Sequence, residues 1–194
     1  TLGVTISGFP DGATLTIGGA AISFDLDGTD PSINSVTLVD VTQAQLDTLV
    51  LTPPENFSGS FDLSVTATST EDGTVAATAT TVTVAVTAVA DTPGLEVSGA
   101  SGAENTAIAL DVSASLSDAD GSEVLSVTVA GVPGGAALSA GTDEGNGTWT
   151  LSADQLEGLS ITPPEGSSDD FTLQVSATTT ETDPDTGALT TATT

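Results

Sequence analysis

The sequence contains no lysine, arginine or histidine, although it contains 27 aspartates and glutamates, and its formal net charge is −27. No carboxylate can therefore form an ion pair with a basic side chain of the same chain. A compact state with this charge repels itself unless positive charge comes from outside. The acidic side chains must lie in solvent or collect around external cations.

The composition excludes most catalytic chemistry. Without histidine or cysteine the chain can form no Ser-His-Asp triad and no cysteine nucleophile, and zinc and iron–sulfur centres lack their ligands. Without lysine or arginine it has no Schiff base and no basic patch for a nucleic acid or an anionic membrane. A carboxylate pair could still hydrolyse a glycoside, but one tryptophan and no tyrosine leave little to stack on a sugar. We therefore expect no enzyme and no nucleic-acid partner, and without a run of about 18 apolar residues we expect no membrane insertion.

Alternation of apolar and polar residues is the main local pattern. Five segments are predicted strands: 61–67, 81–87, 107–112, 125–129 and 171–177. Alternation with period two places one face of a strand on a core and the other in water. With 21 glycines and 9 prolines for turns, the pattern predicts an all-β fold of antiparallel sandwiches.

The sequence also repeats itself. Three segments return in similar form: 4–10 at 127–133, 49–55 at 159–165, and 61–68 at 171–178. The repetition predicts two modules, 1–90 and 95–194, and an insertion at about 16–38 in the first. Because the linker 91–94 is short, we expect the modules to stack end to end.

Neither copy of the repeat is complete within the given sequence. The first lacks a counterpart of about 95–123, and the second lacks a counterpart of the strand near 82–89. We interpret the chain as a slice of a longer array. Alternatively, neighbouring subunits of a fibre supply the missing strands, because an open edge strand is a template for such pairing.

Each copy contains one short helical turn. Thr42 and Ser152 each precede a glutamine by three residues, which is the capping-box pattern. Two leucines at a spacing of three follow each turn, and their side chains can pack into the core and anchor the turn there. The Pro-Pro pair after each turn returns the chain to an extended conformation.

The segment Asp-Ala-Asp-Gly-Ser-Glu at 118–123 is the strongest candidate metal site. Asp118, Asp120 and Glu123 surround a glycine turn, so that side chains and a backbone carbonyl can point at one centre, as Ca²⁺ requires. It is not an EF-hand loop, because strands flank it. Glu104 precedes a strand and could lie at the same end of the module, and Asp91 lies in the linker. These acids predict a calcium site, and the alternative for 118–123 is a solvated turn.

Other acidic clusters are less specific. Asp25, Asp27 and Asp30 lie within the insertion of the first module, where a metal site and a polar turn are both open. Acids at 71–72 and 181–185 occupy matching hairpin tips, where Asp-Gly and Asp-Pro favour turns and a metal site is the alternative.

Several segments carry a family resemblance: 104–107, 110–114, 116–123, 131–133, 147–151 and 159–164. Together they resemble the tandem extender modules of giant bacterial surface adhesins that are exported by type I secretion and related to RTX proteins. The resemblance covers most of the second copy and the second half of the first. It implies Ig-like or cadherin-like sandwiches in an extracellular stalk, rigidified by Ca²⁺ at module junctions. By position, the junction ligands would be Asp91, Glu104, Asp118, Asp120 and Glu123.

We therefore expect a structural extender repeat of a bacterial cell-surface adhesin or extracellular fibre. Its partners would be neighbouring repeats, and other domains would reach other cells or surfaces. One alternative is a self-assembling fibre subunit that uses strand exchange. Another is a carbohydrate- or cell-binding module, which would need an exposed aromatic or polar patch.

The assignment of 118–123 as a metal loop predicts different effects for two aspartates. Asp120→Ala should lower calcium affinity, because it removes a ligand and leaves the remaining carboxylates repelling one another. Asp143→Ala alters only a hairpin turn and should change stability by less than about 0.5 kcal/mol. Calorimetric calcium titration of both variants tests this, and an equal loss of affinity would contradict the assignment.

Overall fold

The computed structural model describes residues 1–22, 34–118 and 121–194. The chain divides into two compact units, unit 1 (Thr1–Thr87) and unit 2 (Ala88–Thr194). The segment 91–94, expected as a linker, therefore falls within unit 2. Regular structure is almost entirely antiparallel strand, which confirms the all-β prediction. No helix in the described ranges is long and apolar enough to cross a membrane.

In the described part of unit 1, the strands are β1 (Leu2–Ser7), β2 (Thr14–Ile17), β3 (Ala20–Ile22), β4 (Ser35–Val39), β5 (Leu49–Thr52), β6 (Gly59–Glu71) and β7 (Thr74–Val86). They form sheets in the orders β4-β1-β6-β7 and β3-β2-β5. Both sheets contribute to one apolar core, which includes Ile6, Leu15 and Leu63. β3, which pairs with β2, lies within the expected insertion at about 16–38, of which residues 23–33 are outside the described ranges.

In the described part of unit 2, the strands are β8 (Gly94–Val97), β9 (Ile108–Ala109), β10 (Val112–Ser115), β11 (Glu123–Ala130), β12 (Ala137–Leu138), β13 (Thr142–Gly145), β14 (Thr148–Ser152), β15 (Ser160–Thr162), β16 (Gln174–Thr182) and β17 (Leu189–Thr193). They form sheets in the orders β13-β14-β11-β16-β17, β12-β15-β9 and β10-β8. All three sheets contribute to one core, which includes Val112, Val127 and Ile161, and Trp149 packs against it.

The two capped turns form as expected. The helix α1 (Gln43–Leu46) begins after Thr42, whose Oγ1 accepts a hydrogen bond from the Gln45 N–H at 3.3 Å. In return, Gln45 Oε1 accepts the Thr42 N–H at 3.0 Å. The second copy has a 3-10 turn (Ala153–Gln155), and there the Ser152 N–H donates to the glutamine three residues later at 3.0 Å.

The prediction of one continuous strand at 107–112 is wrong, because this segment contributes to two strands, β9 and β10. β9 pairs with β15, whereas β10 pairs with β8, so the chain changes sheets between them. The Leu110 N–H still donates to the Leu159 carbonyl at 2.9 Å, but the Asp111 carbonyl accepts from Ser98 at 3.0 Å. The adjacent residues Leu110 and Asp111 thus form backbone hydrogen bonds with different neighbouring segments. The alternation of apolar and polar side chains does not predict this change.

The strand predicted at 171–177 is only partly formed. Its counterpart in unit 1 lies within β6, where β7 pairs with it from Gly59 to Glu71. In unit 2, β16 begins at Gln174, and β17 pairs only with Thr178 to Thr182. Among the described residues, no strand lies beside 171–176 on that side, so 171–173 lacks the ladder that holds 61–63.

The segment 171–173 nevertheless lies close to Gly131, the residue that follows β11, and this contact can be tested. Gly131 has a φ of +82°, and a Cβ added there would lie 2.6 Å from the Thr172 carbonyl oxygen. Gly131→Ala should therefore destabilise the fold by about 1–3 kcal/mol. Gly134→Ala is the matched control, because nothing lies within 4 Å of its added Cβ, and it should cost less than about 0.5 kcal/mol. Urea unfolding of both variants measures the difference, and equal stabilities would show that 171–173 does not pack there.

Candidate metal centre

Unit 2 buries acidic side chains without a basic partner. Asp118, Glu123, Glu181 and Asp183 are each at most 7% exposed. Buried charges in proteins are normally paired or bound to metal, because their removal from water costs free energy. The chain has no basic side chain, so these carboxylates need hydrogen bonds, protons or an external cation.

Strand register brings three acids and the start of unit 2 to one end of the fold. Glu123 begins β11 and lies directly opposite Glu181 of β16. In the neighbouring β8–β10 pair, Gly94 lies opposite Ser115. Asp91 precedes this pair of residues by three positions and Asp118 follows it by three, so both leave the sheet at the same end.

Glu123 is the centre of this group. Its Oε1 accepts a hydrogen bond from the Asp91 N–H at 2.7 Å, whereas its Oε2 is buried and has no hydrogen-bond partner in the described structure. Burial raises the pKa of Glu123. The hydrogen bond from the Asp91 N–H opposes this effect, and the negative charges of Asp91, Asp118 and Glu181 add to it. The carboxyl group therefore holds its proton more tightly in the folded chain than in water.

A buried threonine hydroxyl group near Glu181 on β16 also lacks a hydrogen-bond partner in the described structure. Thr179 is fully buried, and its Oγ1 has no hydrogen-bond partner in the described part of the chain. It precedes Glu181 by two residues on β16, so its side chain is on the same face of the sheet. Buried polar atoms without partners are rare and often mark an ion or a water.

The buried carboxylate of Asp183 is stabilised by hydrogen bonds instead. Its Oδ1 accepts from the N–H and the Oγ1 of Thr186, both at 2.8 Å, and from the Asp185 N–H at 3.1 Å. Its Oδ2 accepts from the Ala88 N–H at 3.4 Å. These donors, led by Thr186, lower the pKa of Asp183. Asp183 thus closes the β16–β17 turn, as the turn interpretation of 181–185 expected.

The structure does not bring Glu104 to the other predicted ligands. β8 and β10 also pair at Val97 and Val112, and the chain leaves that opposite end before it reaches Glu104. Glu104 is exposed there, and the Oδ1 of its neighbour Asn105 accepts the Gly166 N–H at 2.8 Å. Among the predicted ligands, Asp91, Asp118 and Glu123 share one end of unit 2. Asp120 lies outside the described residues, and so do Asp25, Asp27 and Asp30.

Glu181 is the site residue that sequence reasoning did not select. A signal was available, because Val175, Ala177 and Thr179 share its parity on β16 and all three are at least partly buried. An acid that continues the inward-facing positions of a strand must enter the core or its end. The nearby Asp-Pro turn favoured a solvated hairpin tip instead.

The donor chemistry of this group fits Ca²⁺. Every side chain involved offers carboxylate or hydroxyl oxygen, which hard cations prefer, and the orphaned Glu123 Oε2 has a free lone pair. As they stand, the described residues contain no set of three or more acids close enough to hold an ion. Asp91, Asp118, Glu123 and Glu181 would hold the ion, which would replace their mutual repulsion with attraction.

Comparison of the chain with protein-family models, with curated proteins and with solved structures finds no match in any of the three.

The raised pKa of Glu123 gives a pH dependence for the metal-free protein. The folded state holds this proton above the ordinary pKa of 4.5, so stability contributed by protonated Glu123 is lost as pH rises from about 4.5 through the raised value. Glu123→Gln should remove this loss, because glutamine is neutral throughout. In chelator, the variant and the wild type should have similar Tm values near pH 4, and the variant should become the more stable one toward pH 7.

The matched control is Glu157→Gln, since Glu157 is an exposed glutamate of the same unit. It removes the same formal charge and should follow the wild-type pH profile. If the two variants show the same profile, the effect belongs to net charge and not to the buried group.

Proposed function

We propose that the chain is a structural extender segment of a bacterial cell-surface adhesin or extracellular fibre, stabilised by Ca²⁺ at Asp91, Asp118, Glu123 and Glu181. The observation that carries the proposal is the buried Glu123 carboxylate, which has an unpartnered oxygen among like charges in a chain without basic residues. A cation from outside is the simplest complement for such a group.

The candidate metal group lies beside the first residues of unit 2. The first residues of unit 2 are held by acids and threonine of that unit. The Ala90 N–H donates to Thr190 Oγ1 at 2.9 Å, and the Asp91 N–H donates to Glu123 at 2.7 Å. An ion bound to Glu123 would strengthen the anchor of this segment, so calcium would stiffen the start of the repeat.

A structural role agrees with the chemistry of the chain. The sequence has no cysteine thiol, no histidine imidazole and no lysine or arginine to bind phosphate. A repeated all-β unit can be multiplied into an array in which each copy supplies length. Calcium is scarce in cytosol and abundant outside cells, so such a chain would remain loose before export and become rigid at the cell surface. Neighbouring repeats would be its partners.

The calcium proposal predicts a specific gain in stability. Binding to the folded state alone adds about 2.7 kcal/mol when free calcium is a hundredfold above Kd. Thermal unfolding of the 194-residue chain should therefore show a clearly higher Tm in millimolar Ca²⁺ than in EDTA. Mg²⁺ should give a smaller gain, because it demands tighter octahedral geometry and gives up water reluctantly.

Two variants separate a bound ion from general screening of the acidic surface. Glu123→Gln should lose most of the calcium gain, whereas the exposed control Glu157→Gln should keep it. A gain that is equal in both variants would mean that calcium only screens net charge. No gain in the wild type would remove calcium from the proposal altogether.

A further inference from the structure

A threonine of β16 is buried without a partner for its hydroxyl group. Thr179 is 0% exposed, and its Oγ1 forms no hydrogen bond in the described structure. A hydroxyl group offers one donor and two acceptor lone pairs, and leaving it unpaired in a core costs stability. Valine has nearly the same shape without this cost, so packing by itself gives no reason for a hydroxyl group at this position.

The side chains directly beside Thr179 in the sheet cannot satisfy its hydroxyl group. Its cross-strand neighbours are Leu125 of β11 and Ala192 of β17. The next position of β16 on the same face is Glu181, about 7 Å further along the strand, and Glu123 lies opposite it. The carboxylates of the candidate metal centre therefore begin one position beyond Thr179 on the same face of the sheet.

The two adjacent threonines of β16 are in a different situation. Thr178 and Thr180 face the opposite side of the sheet and are partly exposed. The Oγ1 atoms of Thr178 and Thr193 of β17 also share a hydrogen bond of 2.9 Å. Solvent or a neighbour thus reaches these hydroxyl groups. The hydroxyl group of Thr179 needs a partner that the described part of the chain does not supply.

Building on the proposed calcium function, we propose that Thr179 is a binding residue of the same metal centre. Its Oγ1 accepts a hydrogen bond from a water molecule that occupies the innermost position of the Ca²⁺ coordination shell. The ion thereby satisfies both orphaned atoms, because Glu123 Oε2 binds it directly and Thr179 Oγ1 binds it through the water. Water suits this position, since Ca²⁺ takes about 6–8 oxygen ligands and accepts water among them.

The neutrality of threonine explains why position 179 does not hold another acid. The centre already gathers Asp91, Asp118, Glu123 and Glu181, and the negative charges of the other three act on Glu123. A further carboxylate would add to this repulsion, whereas a hydroxyl group orients a bound water without adding charge. Groups that orient metal ligands through hydrogen bonds raise metal affinity, and their loss typically weakens binding about 10–100-fold.

The test compares Thr179→Val with the wild-type 194-residue chain. In EDTA the variant should have the higher Tm, because it removes an unpaired hydroxyl group from the core. Calorimetric titration should show about tenfold weaker calcium binding by the variant, because the bound water loses a hydrogen bond. A purely structural hydroxyl group would not give these opposite effects. A lower Tm in EDTA, or an unchanged calcium affinity, would overturn the proposal.

Two further variants separate the hydroxyl group from packing. Thr179→Ser keeps the hydroxyl group and loses a methyl group, so its Tm should fall while its calcium affinity stays near that of the wild type. Thr180→Val is the matched control, because it makes the same change on the partly exposed face of β16, and it should leave calcium affinity unchanged. A loss of affinity in either variant as large as in Thr179→Val would refute a specific role of the Thr179 hydroxyl group.

The wild-type titration distinguishes this inference from the calcium proposal on which it rests. If the wild type binds calcium and Thr179→Val binds it equally well, only the role of Thr179 is overturned. If the wild type does not bind calcium, both proposals are overturned together.

Discussion

A chain with 27 carboxylates and no basic side chain can hold its charges only in solvent, by hydrogen bonds, or around an external cation. Unit 2 contains acids in solvent, an acid held by hydrogen bonds, and a buried acid for which we expect an external cation. Many acids lie exposed, and the negative charge of Asp183 is stabilised by N–H and O–H donors from its own turn. Glu123 has one N–H donor for two oxygens and faces three further acids. That imbalance is the physical reason for expecting a cation there.

The β scaffold creates this imbalance through register. Residues that are far apart in sequence, such as Asp91 and Glu181, reach the same end because antiparallel strands bring their termini together. The ladder that aligns Val127 with Ala177 in the core continues to Glu123 and Glu181 at its end. Core packing and carboxylate placement are therefore set by the same hydrogen bonds, and a register shift would disrupt both.

The two copies show how the same sequence pattern gives different local structure. The segments 61–67 and 171–177 alternate alike, but β7 pairs with the whole of 61–67, whereas β17 pairs with β16 only from Thr178 onward. Over the full strands, β7 pairs with the whole of β6, whereas β17 pairs only with Thr178–Thr182 of β16. The length of each strand therefore follows the extent of its hydrogen-bonded neighbour.

Local pattern by itself determined the strand content, the repeat and the two capped turns, because side-chain alternation and capping depend on residues a few positions apart. It also selected Asp91, Asp118 and Glu123. It did not separate Glu104 from them or add Glu181, because both decisions depend on which strand ends meet. The break between β9 and β10 and the shortened start of β16 likewise depend on hydrogen-bond partners distant in sequence. Tertiary pairing decided them, since a strand exists only where a neighbouring backbone completes its hydrogen bonds.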